Sequence, residues 1–143
     1  ESNEITPEVA AKVPVTQAFE FFQSSFGQWI VQNSHALVRE QAFSYVLEAS
    51  EFFKSIQTDD LMMIHGIIDG YIELDDEIVV FDYKTDYVVD STEGIQSIVR
   101  KYKDQLNIYA DALSISCGKK VTRKVLCLLS INKNIDIDTL NAI

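Results

Sequence analysis

No run of about 18 uncharged apolar residues occurs in the chain, so no segment is suited to cross a bilayer as a helix. The start also lacks a basic segment followed by an apolar one, the mark of a secretory leader. The first residue is Glu1 rather than methionine, and we expect the sequence to be part of a longer polypeptide. Cysteine is scarce: Cys117 and Cys127 are too few for a disulfide framework or a four-cysteine cluster, and too far apart for a C-x-x-C site. Cys127, inside the apolar run VLCLLSI, reads as a small buried hydrophobe. This usage suits a reducing compartment, and the expected location is the cytoplasm. Basic residues are in short supply, 12 against 22 acidic, and the formal charge of −10 argues against indiscriminate binding to nucleic acid. No internal repeat or low-complexity tract is present.

What is present is a core. A chain of 143 residues with 47% apolar content is expected to form one domain, and a chain of this size buries about 70% of its unfolded surface. The charge is unevenly spread. Residues 1–98 carry 4 basic and 18 acidic groups, a net −14, whereas residues 99–143 carry 8 basic and 4 acidic, a net +4. Arg100, Lys101, Lys103, Lys119, Lys120, Arg123 and Lys124 form the basic part, either a solvated face or a patch that meets phosphates.

The stretch Gly66 to Asp86, GIIDGYIELDDEIVVFDYKTD, concentrates the chemistry. Two apolar runs of strand character, MMIHGIID and IVVFDY, flank an acidic turn at Leu74-Asp75-Asp76-Glu77. Asp69 closes the first run, and Asp82, Lys84 and Asp86 close the second. Strand side chains alternate, so Asp82, Lys84 and Asp86 share one side, and Val79, Phe81 and Tyr83 the other. A hairpin would bring Asp69 beside Asp82. Two adjacent carboxylates repel, and one holds a proton unless a cation lies between them. Mg²⁺ suits such a place, because it takes oxygen ligands from one or two carboxylates and from substrate phosphates. A lysine on the same face can hold or deprotonate an attacking water. The plainer alternative is a surface Asp82–Lys84 ion pair, contributing about 0–1 kcal/mol. Asp69 at the end of a preceding apolar strand favours the metal site.

In chain order, Thr6-Pro7-Glu8 reads as a helix start, interrupted by Pro14. From about Thr16 to Asn33 a helix is expected, with Phe19, Phe22, Phe26 and Trp29 or Ile30 as its buried stripe. Residues 35–48 read as a strand, Lys54 to Asp60 as a loop, then the central hairpin. After a connector, a helix from about Glu93 to Ser116 carries Ile95, Val99, Tyr102, Leu106, Tyr109 and Leu113 on its apolar face and stops at Gly118. Gln105 and Tyr109 share a face. Val121 to Ile131 is a strand, and Asn132 to Ile143 carries little signal. The order helix, strand, strand, strand, helix, strand predicts an α/β fold, a mixed β-sheet flanked by helices with a right-handed crossover. The site is expected where strand ends meet the long helix.

On these residues the chain resembles the RecB-type branch of the PD-(D/E)xK nuclease superfamily. Gly66-Ile67-Ile68-Asp69-Gly70 is similar to its first acidic motif, Asp82-Tyr83-Lys84-Thr85-Asp86 to its D-Y-K-T-x signature, and Gln105 with Tyr109 to its Q-x-x-x-Y helix. Arg39-Glu40 followed by Phe43 is similar to its R-E-x-P-F strand, with Ala42 where proline is usual. The likeness spans roughly residues 16 to 131, and the order and spacing of the motifs are more specific than any one of them. It is greatest to the nuclease domains of bacterial AddAB-type helicase–nucleases.

The resemblance implies a restriction-endonuclease-like fold and a Mg²⁺-dependent nuclease, with Mn²⁺ able to replace Mg²⁺. Asp69, Asp82 and the backbone carbonyl of Tyr83 would hold the metal, and Lys84 would position or activate water. Gln105, Tyr109 and Glu40 would support the site or contact DNA. The implied substrate is single-stranded DNA released by a linked helicase in double-strand-break repair, and the implied partner is a second helicase–nuclease chain of the AddB (RexB) kind. ATP would bind only upstream, since no Walker-type glycine loop occurs here. A four-cysteine iron–sulfur cluster, held by the nuclease-bearing sister chain, cannot form. Family members usually also place a metal-binding histidine on a preceding helix. Neither His35, before a strand, nor His65, inside one, has that context, and a chain lacking that ligand should bind metal weakly and cut poorly. The competing function is a nuclease fold kept as an inactive DNA-binding or scaffold module.

Overall fold

The computed structural model describes residues 14–48 and 60–143. The helix expected to open at Thr6, and the Lys54–Asp60 loop except Asp60 itself, lie outside the described residues. Helices α1 (Val15–Gln23) and α2 (Ser25–Gln32) lead into β1 (Leu37–Glu48), β2 (Leu61–Glu73) and β3 (Glu77–Lys84). Helix α3 (Thr92–Cys117) follows, then β4 (Lys120–Leu128) and β5 (Lys133–Asp136). The five strands form one sheet in sequence order, antiparallel except for β3 and β4, which run parallel on either side of the α3 crossover. The fold is therefore α/β, a mixed sheet with flanking helices, consistent with a restriction-endonuclease-like domain.

The sheet has a core on each face. Ile78 and Val80 pack with Ile98, Val99, Leu106 and Leu113 of α3. Val79 and Phe81 pack with Phe21, Phe26 and Ile30 of α1 and α2. Covered on both sides, β3 reads as the unbroken apolar run IVVF, and its alternation falls as expected. Ser91 caps α3 by accepting the Gly94 N–H, and Gly118, at φ 67°, ends it in the left-handed conformation that glycine adopts at little cost.

Three expectations are corrected. The aromatic stripe is not a single ridge, because the helix breaks at Ser24, whose extended backbone (φ −69°, ψ 159°) starts α2 and whose hydroxyl accepts the Gly27 N–H. The break resets the helical phase: Phe21 is buried at 2%, while Phe19 and Phe22 are 65% and 44% exposed. Phe21→Ala is therefore expected to cost about 3–5 kcal/mol in denaturant unfolding, and Phe19→Ala less than about 0.5 kcal/mol. Second, Asp69 lies inside β2, which continues to Glu73. Third, the tail is structured. β5 pairs with β4, and Ile135 bridges to Ala142. Its signal was masked because Asn134 and Asp136 are themselves buried. Asn134 donates to the Ser24 hydroxyl at 3.2 Å, and Asp136 accepts the Asp138 N–H at 2.9 Å, so both polar groups are satisfied.

Candidate metal centre

Asp69 sits where the sheet opens. The β2–β3 ladder runs only as far as Gly70 opposite Phe81. Beyond it the Tyr83 N–H donates to Asp69 Oδ2 at 2.9 Å, a side chain standing in for the next strand carbonyl. On the other flank, β1 pairs through Arg39–Gly70 and Gln41–Ile68 but skips the level of Asp69, where Glu40 adopts φ 52°. A non-glycine residue there marks a local irregularity. Gly70 is required by close approach, since a Cβ on it would lie 2.4 Å from the Phe81 ring.

Asp82 and Lys84 project from the last turn of the β3 pleat toward α3. Asp82 is 2% exposed, an unusual burial for a carboxylate. Lys84 Nζ stands 2.7 Å from its Oδ2. That contact is ionic and off the hydrogen-bonding direction, so the buried Oδ2 has no hydrogen-bond donor. Burial first, and then the neighbouring Asp69 charge, push the Asp82 carboxyl up to about 7, against the opposing pull of Lys84. Lys84 also donates to Gln105 Oε1 at 3.1 Å and lies 4.2 Å from the centre of the Tyr102 ring.

The structure thus brings Asp69, Asp82, Lys84, the Tyr83 backbone and Gln105 together. Tyr109 joins them. Burial raises its hydroxyl to about 12, helped by the fields of Asp82 and Asp69, and its ring meets Phe43 edge-on at 5.2 Å. Beside these residues a groove of about 450 Å³ runs between the sheet and α3, lined among others by Phe43, Gly66, Lys101, Gln105 and Tyr109. Glu40 is exposed. His35 lies exposed in a 3₁₀ turn, and His65 Nδ1 is 3.0 Å from Ser44 Oγ in a cross-strand pair. Among the described residues no three His, Cys, Asp or Glu side chains form a ligand set. Two adjacent carboxylates and an orphaned buried oxygen nevertheless suit a hard divalent cation, which neutralises their repulsion and takes up the free lone pair.

Two residues near the site carried no role in the sequence reading. Asp86 follows β3 and accepts from Tyr102 Oη at 2.9 Å and Lys101 Nζ at 3.0 Å. Burial opposes its ionisation, but these two donors hold its carboxyl below the usual range. The signal was present in spacing, since Tyr102 precedes Gln105 by three residues and shares its helical face. Of the basic patch, Lys101, Lys119 and Lys124 are paired with Asp86, Glu73 and Asp138. Arg100, Lys103, Lys120 and Arg123 are exposed. No helix among the described residues is long and apolar enough to cross a membrane.

No family model matches the chain. It is 37% identical over 132 residues to the ATP-dependent helicase/nuclease protein AddA of Pediococcus pentosaceus, covering 91% of this chain and 11% of that protein. To the protein of the same name from Enterococcus faecalis it is 39% identical over 146 aligned positions, covering 100% of this chain and 12% of the relative. To that of Limosilactobacillus fermentum it is 43% identical over 116 residues, 78% of this chain and 9% of the relative. The chain spans about a tenth of the length of these relatives. Over most of its own length it is thus homologous to a segment of the ATP-dependent helicase/nuclease proteins named AddA.

Proposed function

We propose that this chain is a RecB-type nuclease domain of the PD-(D/E)xK kind, forming one domain within a longer helicase–nuclease of the AddA type. It hydrolyses phosphodiester bonds of single-stranded DNA during double-strand-break repair and recombination in the cytoplasm. Its partners are DNA and a second helicase–nuclease chain of the AddB kind. The observation that carries this reading is the buried Asp82, its Oδ2 without a hydrogen-bond donor, facing Asp69 and 2.7 Å from Lys84. A structural ion pair would gain little from a second carboxylate beside it, because the added charge raises the cost of ionising Asp82.

Asp69, Asp82 and the Tyr83 carbonyl are the residues that would hold Mg²⁺ or Mn²⁺. When bound, the ion polarises the phosphoryl oxygen and lowers the pKa of a coordinated water. The chain's own residues do the rest. The Tyr83 N–H fixes the Asp69 carboxylate, so one oxygen is committed to the backbone and the other is free to face the site. Gln105 holds the Lys84 ammonium at 3.1 Å, where it can orient a water and offset charge developing on a phosphate. Tyr109 stays neutral at physiological pH and keeps its hydroxyl proton for donation. The exposed basic residues give a strand of phosphates a place to lie near an otherwise acidic surface.

The test is digestion of single-stranded DNA by the full-length protein that carries this chain. Cleavage that requires Mg²⁺ or Mn²⁺ and stops with chelator is the expected result. Intact substrate under every metal condition would instead support a DNA-binding or scaffold role.

A further inference from the structure

Lys84 has two sets of neighbours. One is Asp82, a member of the proposed metal site. The other is α3, where Gln105 accepts one proton and the Tyr102 ring lies under the ammonium at 4.2 Å. The ring is itself pinned, its hydroxyl donating to Asp86 Oδ2 at 2.9 Å. Asp86 is anchored in turn, because Lys101 Nζ reaches the same oxygen at 3.0 Å and the Asp86 backbone carbonyl accepts from Ser130 Oγ at 2.7 Å. The loop after β3, the long helix and the loop after β4 thus meet at one residue.

We propose that Tyr102, braced by Asp86, is a positioning residue that aims the Lys84 ammonium. This rests on the nuclease reading and adds a part to it. Asp82 cannot hold Lys84 tightly while its oxygen serves a cation, so Lys84 needs a support that a metal does not compete for. The face of an aromatic ring supplies one: it attracts an ammonium without taking its protons, leaving Nζ–H groups free for water or phosphate. Gln105 alone fixes a single direction. The ring and the amide together fix two, and the Asp86 bond prevents the ring from turning away.

The experiment compares Tyr102→Leu and Tyr102→Phe in the full-length protein. Tyr102→Leu should lower kcat about tenfold with KM within about twofold, the loss expected from one partly desolvated cation–π contact. Tyr102→Phe keeps the ring and should recover kcat to within about threefold of wild type, the remainder reflecting the lost bond to Asp86. A readout independent of turnover is reductive methylation of Lys84 with Mg²⁺ present, followed by mass spectrometry. It should quicken in Tyr102→Leu and stay near the wild-type rate in Tyr102→Phe. A Tyr102→Leu protein with wild-type kcat and unchanged Lys84 labelling overturns the proposal. So does a pair of variants equally impaired, which would mean a structural role for the residue. A wild-type protein without nuclease activity defeats the function reading instead, and the labelling comparison still reports on Tyr102 by itself.

Discussion

Lys84→Ala in the full-length protein is expected to lower single-strand cleavage by about 10³-fold, the scale seen when one charge-stabilising donor is removed from a reacting centre. The variant should fold normally. Lys84 is 17% exposed at its side chain, so alanine there leaves only a small void, but it strips Asp82 of its sole ionic partner among the described residues. Circular dichroism and thermal unfolding of the apo protein check the fold, and single-turnover cleavage checks the rate. Wild-type rates in a folded Lys84→Ala protein would remove Lys84 from the chemistry.

Asp82→Asn should abolish cleavage to a similar extent and, without metal, make the protein more stable. The sign follows from the raised carboxyl. In the unfolded chain Asp82 titrates near 3.8, in the folded chain near 7. Below pH about 4 both states are protonated, and Asp82 costs nothing. As pH rises, the unfolded chain ionises first, so folded stability falls between about 4 and 7 and remains lower above that. The full penalty is on the order of 4 kcal/mol, and a real amide recovers less because it does not reproduce the carboxyl's shape and partners. A gain of about 2–3 kcal/mol at pH 8 and near zero at pH 4 is expected, read from denaturant unfolding in chelator. Added Mg²⁺ should then stabilise the wild type and not the variant. An Asp82→Asn protein less stable than wild type at pH 8 would mean the pair with Lys84 outweighs burial and repulsion.

Much of this was legible from residue order. The strand alternation of IVVFDYK placed Asp82 and Lys84 on one face because β3 is covered on both sides and cannot slip without inverting two cores. Ser91 and Gly118 marked the ends of α3 to within a residue or two, since capping is local chemistry. What was not legible depends on tertiary partners. Phe19 and Phe21 differ only in which side of a break at Ser24 sets their phase. β5 is short and draws its polar members inward to partners distant in sequence, Asn134 to Ser24 among them. The position of Asp69 inside β2, and its use of the Tyr83 N–H, follow from the ladder opening opposite Glu40, which no periodicity reports. The role drawn for Tyr102 is of the same kind: its place on the apolar stripe was visible, its contact with Lys84 was not.

The most direct test of the central claim is a crystal structure of the full-length protein grown with Mn²⁺, using the metal's anomalous signal. A peak within about 2.1 Å of carboxylate oxygens from both Asp69 and Asp82, with the Tyr83 carbonyl in the same shell and Lys84 still against Gln105, is the predicted result. Density showing Lys84 closed on Asp82 with no ion between the two carboxylates at saturating Mn²⁺ would contradict it.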